Sequence, residues 1–529
     1  MELRVLIFLV ASLVIILIYP FVLERFGLSP APTVRPIQPE RAASEISPPA
    51  KAEAPVEIGS GVPAVAEEIF VIETPLYRAT LSNRGGTIRS WVLQRYTAAS
   101  KGERQAVELV PSGAGFLAPL AVTSDSHLGL ENVLFSVQKG DGRIDATHPT
   151  TEWVFRYREA AGWVEKRFRF QADRYTVEVE LRSEGLGDLV IATGTNFGIT
   201  DWGAGGSSGY IGPITRVDGV IVKDPIAKIE GETRHAGSLA WIALQDKYFI
   251  AALLPEQGAS VTLKRLGDKG VTGLLPVATA ARLTLYAGPK EYDRLTEFHV
   301  GLEDTIDFGW FIYGSWSLVR WIAEPLFFVL RAIQRLTHNY GFAIILLTVM
   351  IKGVFIPLTH RSYRAMKRMQ ELQPQLAVLQ KKHSADRDRL NREMMELYRK
   401  NRVNPLGGCL PMVVQIPFFV AFFNILSTTI ELRGAPFLLW IGDLSLKDPY
   451  YVLPIIMGGT MVLQQMLQPT NMDPRQAKAM LMLPVVMTFL FLSFPAGLVL
   501  YWLTNNILTI TQQYITKQYL DRPAAASPA

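Results

Sequence analysis

Five apolar runs of about twenty residues crowd the C-terminal part of this chain, at about 341–359, 410–432, 449–467, 479–494 and 496–516. A helix of that length covers the hydrocarbon thickness of a bilayer. Inside hydrocarbon every backbone N–H and C=O has to be satisfied within the chain, so runs of this kind fold as helices. The last two are separated only by Phe494-Pro-Ala-Gly497, which reads as a tight turn. A sixth run, Leu3–Leu23, contains a single charge, Arg4, and ends in Leu23-Glu-Arg-Phe without a small-residue cleavage pattern. It reads as an uncleaved anchor over 1–26 rather than a signal peptide. The expected fold class is a polytopic α-helical membrane protein with six spans.

Spans do not account for the whole chain. Its hydrophobic fraction is 49% and its mean hydropathy +0.18, which fits spans joined to a soluble part. Eight prolines fall between Ser29 and Pro63, so 27–66 reads as a Pro/Ala-rich linker unable to bury enough apolar surface to order itself. From 67 to 305 short alternating runs recur, among them Glu68-Ile-Phe-Val-Ile72, Lys166-Arg-Phe-Arg-Phe170 and Tyr175-Thr-Val-Glu-Val-Glu-Leu181. Turn residues separate them, and no run is long enough to span; the segment reads as an inserted all-β domain. Gly309–Leu336, within 306–338, is rich in Trp, Phe and Leu, yet Arg320, Glu324, Arg331 and Arg335 share one helical face. That pattern suits an amphipathic helix lying in the membrane interface.

Charge sets the orientation. Between Arg361 and Arg402 there are 12 Lys/Arg and 5 Asp/Glu, more excess than the net +5 of the entire chain. This basic loop, 360–405, belongs on the cytoplasmic side. The β domain, one span earlier, then faces the opposite side, the periplasm of a bacterium, and both termini are cytoplasmic. Within the loop Met366, Met369, Leu372, Leu376 and Leu379 recur at helical spacing, as do Leu390, Met394, Leu397 and Tyr398. Lys381-Lys-His-Ser-Ala-Asp386 lies between them, so the loop reads as a helical hairpin.

One residue does not fit its run. Lys352 sits inside Phe342–Pro357, about eight residues from the cytoplasmic end of its span, a depth of roughly 12 Å that its stem cannot fully climb. A charge in hydrocarbon costs about 2.5–3.5 kcal/mol on insertion scales, so it marks a wet cavity or a partner. Thr348 lies one turn away on the same face, Gln415 lies early in the third span, and Tyr501, Asn505, Thr509 and Gln512 form a stripe on the last. Thirteen of 14 methionines fall at or after Met350, a deformable apolar surface suited to varied partners. The one cysteine, Cys409, excludes an intrachain disulfide, and the histidines show no metal spacing. Asn404-Pro-Leu-Gly-Gly-Cys409 lacks the Gly-Lys-Ser/Thr ending of a phosphate-binding loop. No catalytic set, metal site, cofactor or nucleic-acid readout is expected.

Several stretches carry a family resemblance. Gly341-Phe-Ala-Ile-Ile, Leu372-Gln-Pro374, Asn404-Pro-Leu-Gly-Gly-Cys409, Glu431-Leu-Arg-Gly-Ala-Pro-Phe437, Asp448-Pro-Tyr-Tyr451 and Phe494-Pro-Ala-Gly-Leu-Val-Leu-Tyr501 resemble the YidC membrane protein insertase family of Gram-negative bacteria. Asn83-Arg-Gly-Gly86 and Gly237-Ser-Leu-Ala-Trp241 resemble its periplasmic domain. The resemblance implies a five-helix insertase core over 339–520, a tail at 521–529, a β-supersandwich in the periplasm, and a hydrophilic groove closed toward the periplasm. It implies a groove cation that attracts acidic parts of substrate, commonly Arg and here Lys352, which keeps the charge but loses the bidentate fork. Tyr501, Trp502 and Thr348 match substrate-contact and groove-wall positions; Gln415 and Asn505 complete the expected groove set. Nascent membrane proteins, the Sec translocon, the ribosome and the lipid bilayer are the implied partners. Some relatives end in a basic tail implicated in ribosome contact, whereas this chain ends almost uncharged.

The expected function is therefore insertion and chaperoning of membrane proteins in the bacterial inner membrane, without enzymatic chemistry. Two rivals belong to other classes. A solute transporter or channel with a periplasmic binding domain would need a path open to both sides, often from paired repeats that this chain does not display. A carbohydrate-processing enzyme in the β domain would need converging carboxylates or histidines in a cleft.

Overall fold

A computed structural model describes residues 66–521 except 101–102, 114, 125–128, 201–209, 268–269, 309, 312–313, 316, 384–385, 402, 404–409 and 468–481. The expected anchor, nearly all of the linker, the Asn404–Cys409 motif and most of the expected tail lie outside the described residues. The chain divides into two compact units, a β unit and a helical unit; the short segments Glu291–Glu297 and Ile306 onward belong to the helical one.

The β unit is a sandwich of antiparallel sheets. The largest has nine strands, in the order 220–223, 212–217, 239–245, 249–255, 280–289, 176–184, 163–171, 150–158, 136–138. A five-stranded sheet runs 232–236, 260–266, 270–277, 189–192, 122–124, and a four-stranded meander covers 69–108. Period-two alternation produces the layers. In strand Trp163–Gln171, Val164, Lys166, Phe168 and Phe170 point inward, while Arg167 and Arg169 meet Glu152 across the strand at 3.3 and 3.2 Å. Trp91 and Tyr77 stack at 4.1 Å in the fully buried core.

Lys166 is the exception on that inward face. It has no exposed surface, and its ammonium donates to three carbonyls, Gly85 at 2.6 Å, Leu120 at 2.7 Å and Gly86 at 3.2 Å. Gly85 and Gly86 have φ of +67° and +53°, a turn that side chains with a Cβ resist, and this turn aims both carbonyls at the lysine. Burial away from any carboxylate pushes the Lys166 pKa down to about 7. Between that value and the ordinary 10.5 the unfolded chain holds a proton that the folded domain has released, so stability rises with pH across this window. Lys166→Met leaves three buried carbonyls without donors, and each orphan costs about 1–3 kcal/mol. Urea unfolding of residues 66–305 should show a loss of about 3 kcal/mol and a flattened pH dependence between 7 and 10. An unchanged pH slope would refute the assignment.

The helical unit contains, among the described residues, α1 (Tyr292–Thr296), α2 (Ser317–Thr337), α3 (Tyr340–Glu371), α4 (Gln373–Lys382), α5 (Arg387–Lys400), α6 (Leu410–Thr428), α7 (Val452–Leu467), α8 (Met482–Phe491) and α9 (Ala496–Asp521). Of these, α3 is long and apolar enough by itself to cross a membrane; α7, α8 and most of α6 are shorter apolar helices. Helix α9 packs on α3 and α7, α8 on α7, and α2 on α3 and α6.

Three boundaries differ from the sequence reading. Helix α2 starts at Ser317, and a two-residue ladder joins Trp310–Phe311 to Gly314–Ser315 ahead of it. Two glycines, Gly309 and Gly314, make that stretch a poor helix at about 1 kcal/mol each. Helix α3 does not stop at Thr359 but runs unbroken through Pro357 to Glu371. The carbonyl facing the Pro357 ring belongs to Gly353, where the backbone yields most easily. Helix α6 ends at Thr428, and 430–432 forms a separate turn of 3-10 helix.

Capping fixes the other ends. The Asn339 side chain accepts from Gly341 N at 2.8 Å and Phe342 N at 3.2 Å to start α3. Asp386 accepts from Arg389 N at 3.0 Å to start α5. Arg331 of α2 grips Asp293 of α1 with both terminal nitrogens, one at 2.7 Å, which ties the first two helices of the unit together.

Candidate functional site

Two polar side chains of the apolar helices meet where α3 packs on α9. Lys352 Nζ donates to Thr509 Oγ1 at 2.9 Å, and Thr509 Oγ1 donates in turn to the Asn505 carbonyl at 2.6 Å. The hydroxyl keeps a lone pair for lysine because its own proton is spent on its helix. Lys352 is half-buried, and no carboxylate lies in ion-pairing reach of it among the described residues. A cation held by a single hydroxyl retains two N–H donors. One turn earlier Thr348 is buried, and its hydroxyl donates to the Ile344 carbonyl at 2.6 Å.

The aromatic members of the expected set form a second cluster. Tyr501 is buried against Phe422 at 4.7 Å, and Trp502 lies edge-on to Phe419 and Phe491, each at 4.9 Å. This cluster joins α6, α8 and α9. It lies eight residues from Thr509 on α9, or roughly 12 Å along the axis. Gln415 is half-buried on α6, three residues before Phe418, whose ring meets Phe355 of α3 at 5.1 Å. Gln415 makes no hydrogen bond among the described residues. The structure thus joins Lys352 to the backbone of Asn505 through Thr509 and places Tyr501 with Trp502. It links Gln415 and Thr348 to neither group by a hydrogen bond.

Sequence reasoning passed over two buried amides. Asn506 Nδ2 donates to Thr460 Oγ1 on α7 at 3.2 Å, and Asn424 Nδ2 donates to the Phe308 carbonyl at 2.8 Å. The signal for Asn506 was its place beside Asn505 in an apolar run. Adjacent residues on a helix point about 100° apart, so only one can follow the Lys352 stripe. The other clamps α9 to α7. Further along the stripe, Gln512 Nε2 is buried without a partner among the described residues.

Chemically the arrangement offers two N–H donors of a cation to an anion or a water chain at Lys352. No group of three His, Cys, Asp or Glu suited to a metal occurs among the described residues. The charge does something only if an acidic or polar group can reach it.

Comparison with known proteins covers nearly the whole chain. Residues 332–523 match the family described as 60Kd inner membrane protein, and residues 70–329 match the YidC periplasmic domain. The membrane protein insertase YidC of Syntrophus aciditrophicus (strain SB) is 36% identical, over 98% of this chain and 100% of that protein. That of Geobacter sp. (strain M21) is 39% identical, over 86% of each. A crystal structure of an active YidC insertase with its first transmembrane domain resolved aligns over 85% of this chain and 93% of that one. Its identity is 18% and its TM-score 0.38.

Proposed function

This chain belongs to the YidC family of membrane protein insertases, and from that premise we propose that Lys352 is the receiving charge of its insertion site. The protein is an insertase of the bacterial inner membrane, multi-pass, with a periplasmic β-sandwich domain and a helical core. In our reading the chain crosses the membrane six times, five of the spans building the core, and the β domain is a supersandwich. The α4–α5 hairpin projects into the cytoplasm. Thr348, Gln415, Tyr501, Trp502 and Asn505 line a hydrophilic groove that ends at Lys352.

The observation that carries this reading is the Lys352–Thr509 contact, a cation inside apolar helices with no carboxylate beside it among the described residues. An acidic segment of an incoming protein supplies what is missing. Its carboxylate meets the free N–H donors of Lys352 in a medium of lower dielectric than water, where opposite charges attract more strongly. The substrate's apolar segment meanwhile slides along the outer face of α6 and α8 into lipid. The hydrophilic stretch then crosses only the remaining half of the bilayer, which lowers the barrier without nucleotide or covalent chemistry. The Sec translocon and the ribosome enter as partners on the strength of the family alone.

The test is insertion of a one- or two-span protein into proteoliposomes that contain this protein alone. Transport of small solutes in the same vesicles without insertion would favour a channel and sink the reading. A second expectation concerns the β domain. The groove residues all lie after residue 340, so removal of residues 70–290 should leave insertion at no less than about a third of the parent rate. If every substrate tested stalled while the helical core still folded, the domain would have a direct part in insertion.

A further inference from the structure

We propose that the loop joining α6 and α7 carries a rigid apolar tip, Leu438–Leu439, that seats in the acyl region of the periplasmic leaflet. The inference rests on the span reading above. That reading puts this loop at the periplasmic membrane surface, at the opposite end of α3 from the basic hairpin.

The first observation is backbone conformation. Leu439 has φ of +54°, in the left-handed region, where a Cβ collides with the following carbonyl. Glycine or asparagine would form the same turn with less strain. Packing inside the chain does not compensate, because Leu439 is 89% exposed and Leu438 47% exposed. A leucine that is costly to its own backbone and useless to its own core is explained by a contact outside the chain.

The second observation is that the tip is built rather than loose. Phe437 N donates to Ile441 O at 2.9 Å, Ile441 N to Leu438 O at 3.1 Å, and Leu444 N to Ala435 O at 3.0 Å. The base is tied to two helix starts. Asn339, the cap of α3, donates from Nδ2 to Phe437 O at 3.1 Å, and the Phe437 ring meets Phe342 at 5.6 Å. A Cβ on Gly341 would collide with that ring, so the chains touch there. On the other side Trp440 Nε1 donates to Asp448 Oδ1 at 3.0 Å. Asp448 is itself buried and accepts from Leu453 N, in the first turn of α7, at 2.7 Å.

The third observation is the company the tip keeps. Asp448 Oδ1 accepts from Trp440, the residue after the tip, and from Tyr450 N at 3.0 Å, and the exposed Tyr450 and Tyr451 are joined by Lys447, whose Nζ lies 3.4 Å from the Tyr451 hydroxyl. Amphipathic rings with a lysine flanking an apolar tip are the sequence of chemistries met on passing from headgroups into acyl chains. A lipid surface fits this order better than a protein groove, which would select a fixed shape.

Single cysteines at 439, 463 and 220, in the full chain with Cys409→Ser, test the proposal after labelling with an environment-sensitive fluorophore. The vesicles contain phosphatidylcholine and phosphatidylglycerol, and the quenchers are acyl-brominated lipid and aqueous iodide. Leu463 is an exposed position on α7 and reports the span; Val220 is exposed on the β domain and reports water. The expected result is quenching of position 439 by brominated lipid to within twofold of position 463. Iodide quenching there should be at least threefold below position 220. Leu439→Asp should raise iodide quenching of a label at 438 at least threefold. Iodide quenching of 439 equal to 220, with 463 in lipid, overturns the tip but leaves the spans standing. Iodide quenching of 463 itself overturns the span reading and the tip with it. Shielding of 439 from both quenchers overturns the lipid assignment in favour of a protein partner.

Discussion

Deletion of residues 373–400, closed by a short Gly/Ser linker, is expected to abolish growth of a strain depleted of its own insertase while the helical core stays folded. Helices α4 and α5 pack on one another and α4 on the end of α3, and the apolar residues buried at this corner include Leu372 and Leu376. Such a thin stripe contributes little to the rest of the unit, so its loss should leave core helicity and detergent melting within a few degrees of the parent. Its outer face is another matter. Val378 is 64% exposed and Met395 56% exposed, amid the basic residues of the same helices. Apolar side chains held in water on a charged arm suit a surface that receives other chains. Full complementation by the deleted protein would sink this view; a core that no longer folds would show that the arm is structural.

Replacement of Lys352 is expected to grade insertion by charge. Two opposite charges about 4 Å apart attract by about 4 kcal/mol at the effective dielectric of a partly hydrated site, and tenfold in rate corresponds to about 1.4 kcal/mol. Lys352→Glu should therefore slow insertion of acidic-tailed substrates about tenfold or more. Lys352→Ala should fall between, and Lys352→Arg should match the parent, because the Thr509 hydroxyl accepts from either cation. Substrates with neutral tails are the control and should stay within twofold in all three. If Lys352→Glu inserts acidic and neutral tails alike at the parent rate, the lysine plays no part in capture. The polarity of the site would then rest on Thr509, Asn505 and Gln512.

How far the sequence revealed this molecule depends on the range of the interaction. Alternation in Trp163–Gln171 and Thr176–Glu184 is local, so the strands and their two faces could be read directly. Lys352 stood out because a charge in an apolar run violates a composition rule that needs no partner. Its contact, Thr509, is 157 residues away, and only the packing of α9 on α3 selects it from a stripe of four polar residues. Lys166 was hidden for a different reason. In Lys166-Arg-Phe-Arg-Phe170 alternation puts the lysine on the Phe168 and Phe170 face, but nothing short-range says that the slot is fully buried or which carbonyls receive the ammonium. Its acceptors lie 46 to 81 residues away in chain order. The choice between Asn505 and Asn506 turns on a rotation of one residue about the helix axis, finer than a hydrophobic pattern resolves. The extent of α3 was missed because proline and a basic run usually mark an end, and here they do not.

The uninterrupted course of α3 has a mechanical consequence. From Tyr340 to Glu371 it is one helix of 32 residues, roughly 48 Å long, with Lys352 near its middle. A stiff rod transmits torque, and the first break comes at Leu372, just before α4. On the proposed function, a load caught by the hairpin would reach Lys352, about 30 Å away, along the same helix and past its Gly353–Pro357 step. On that same function, the hairpin and Lys352 would be two points on one lever, whose fulcrum is the packing of α3 against α2 and α9.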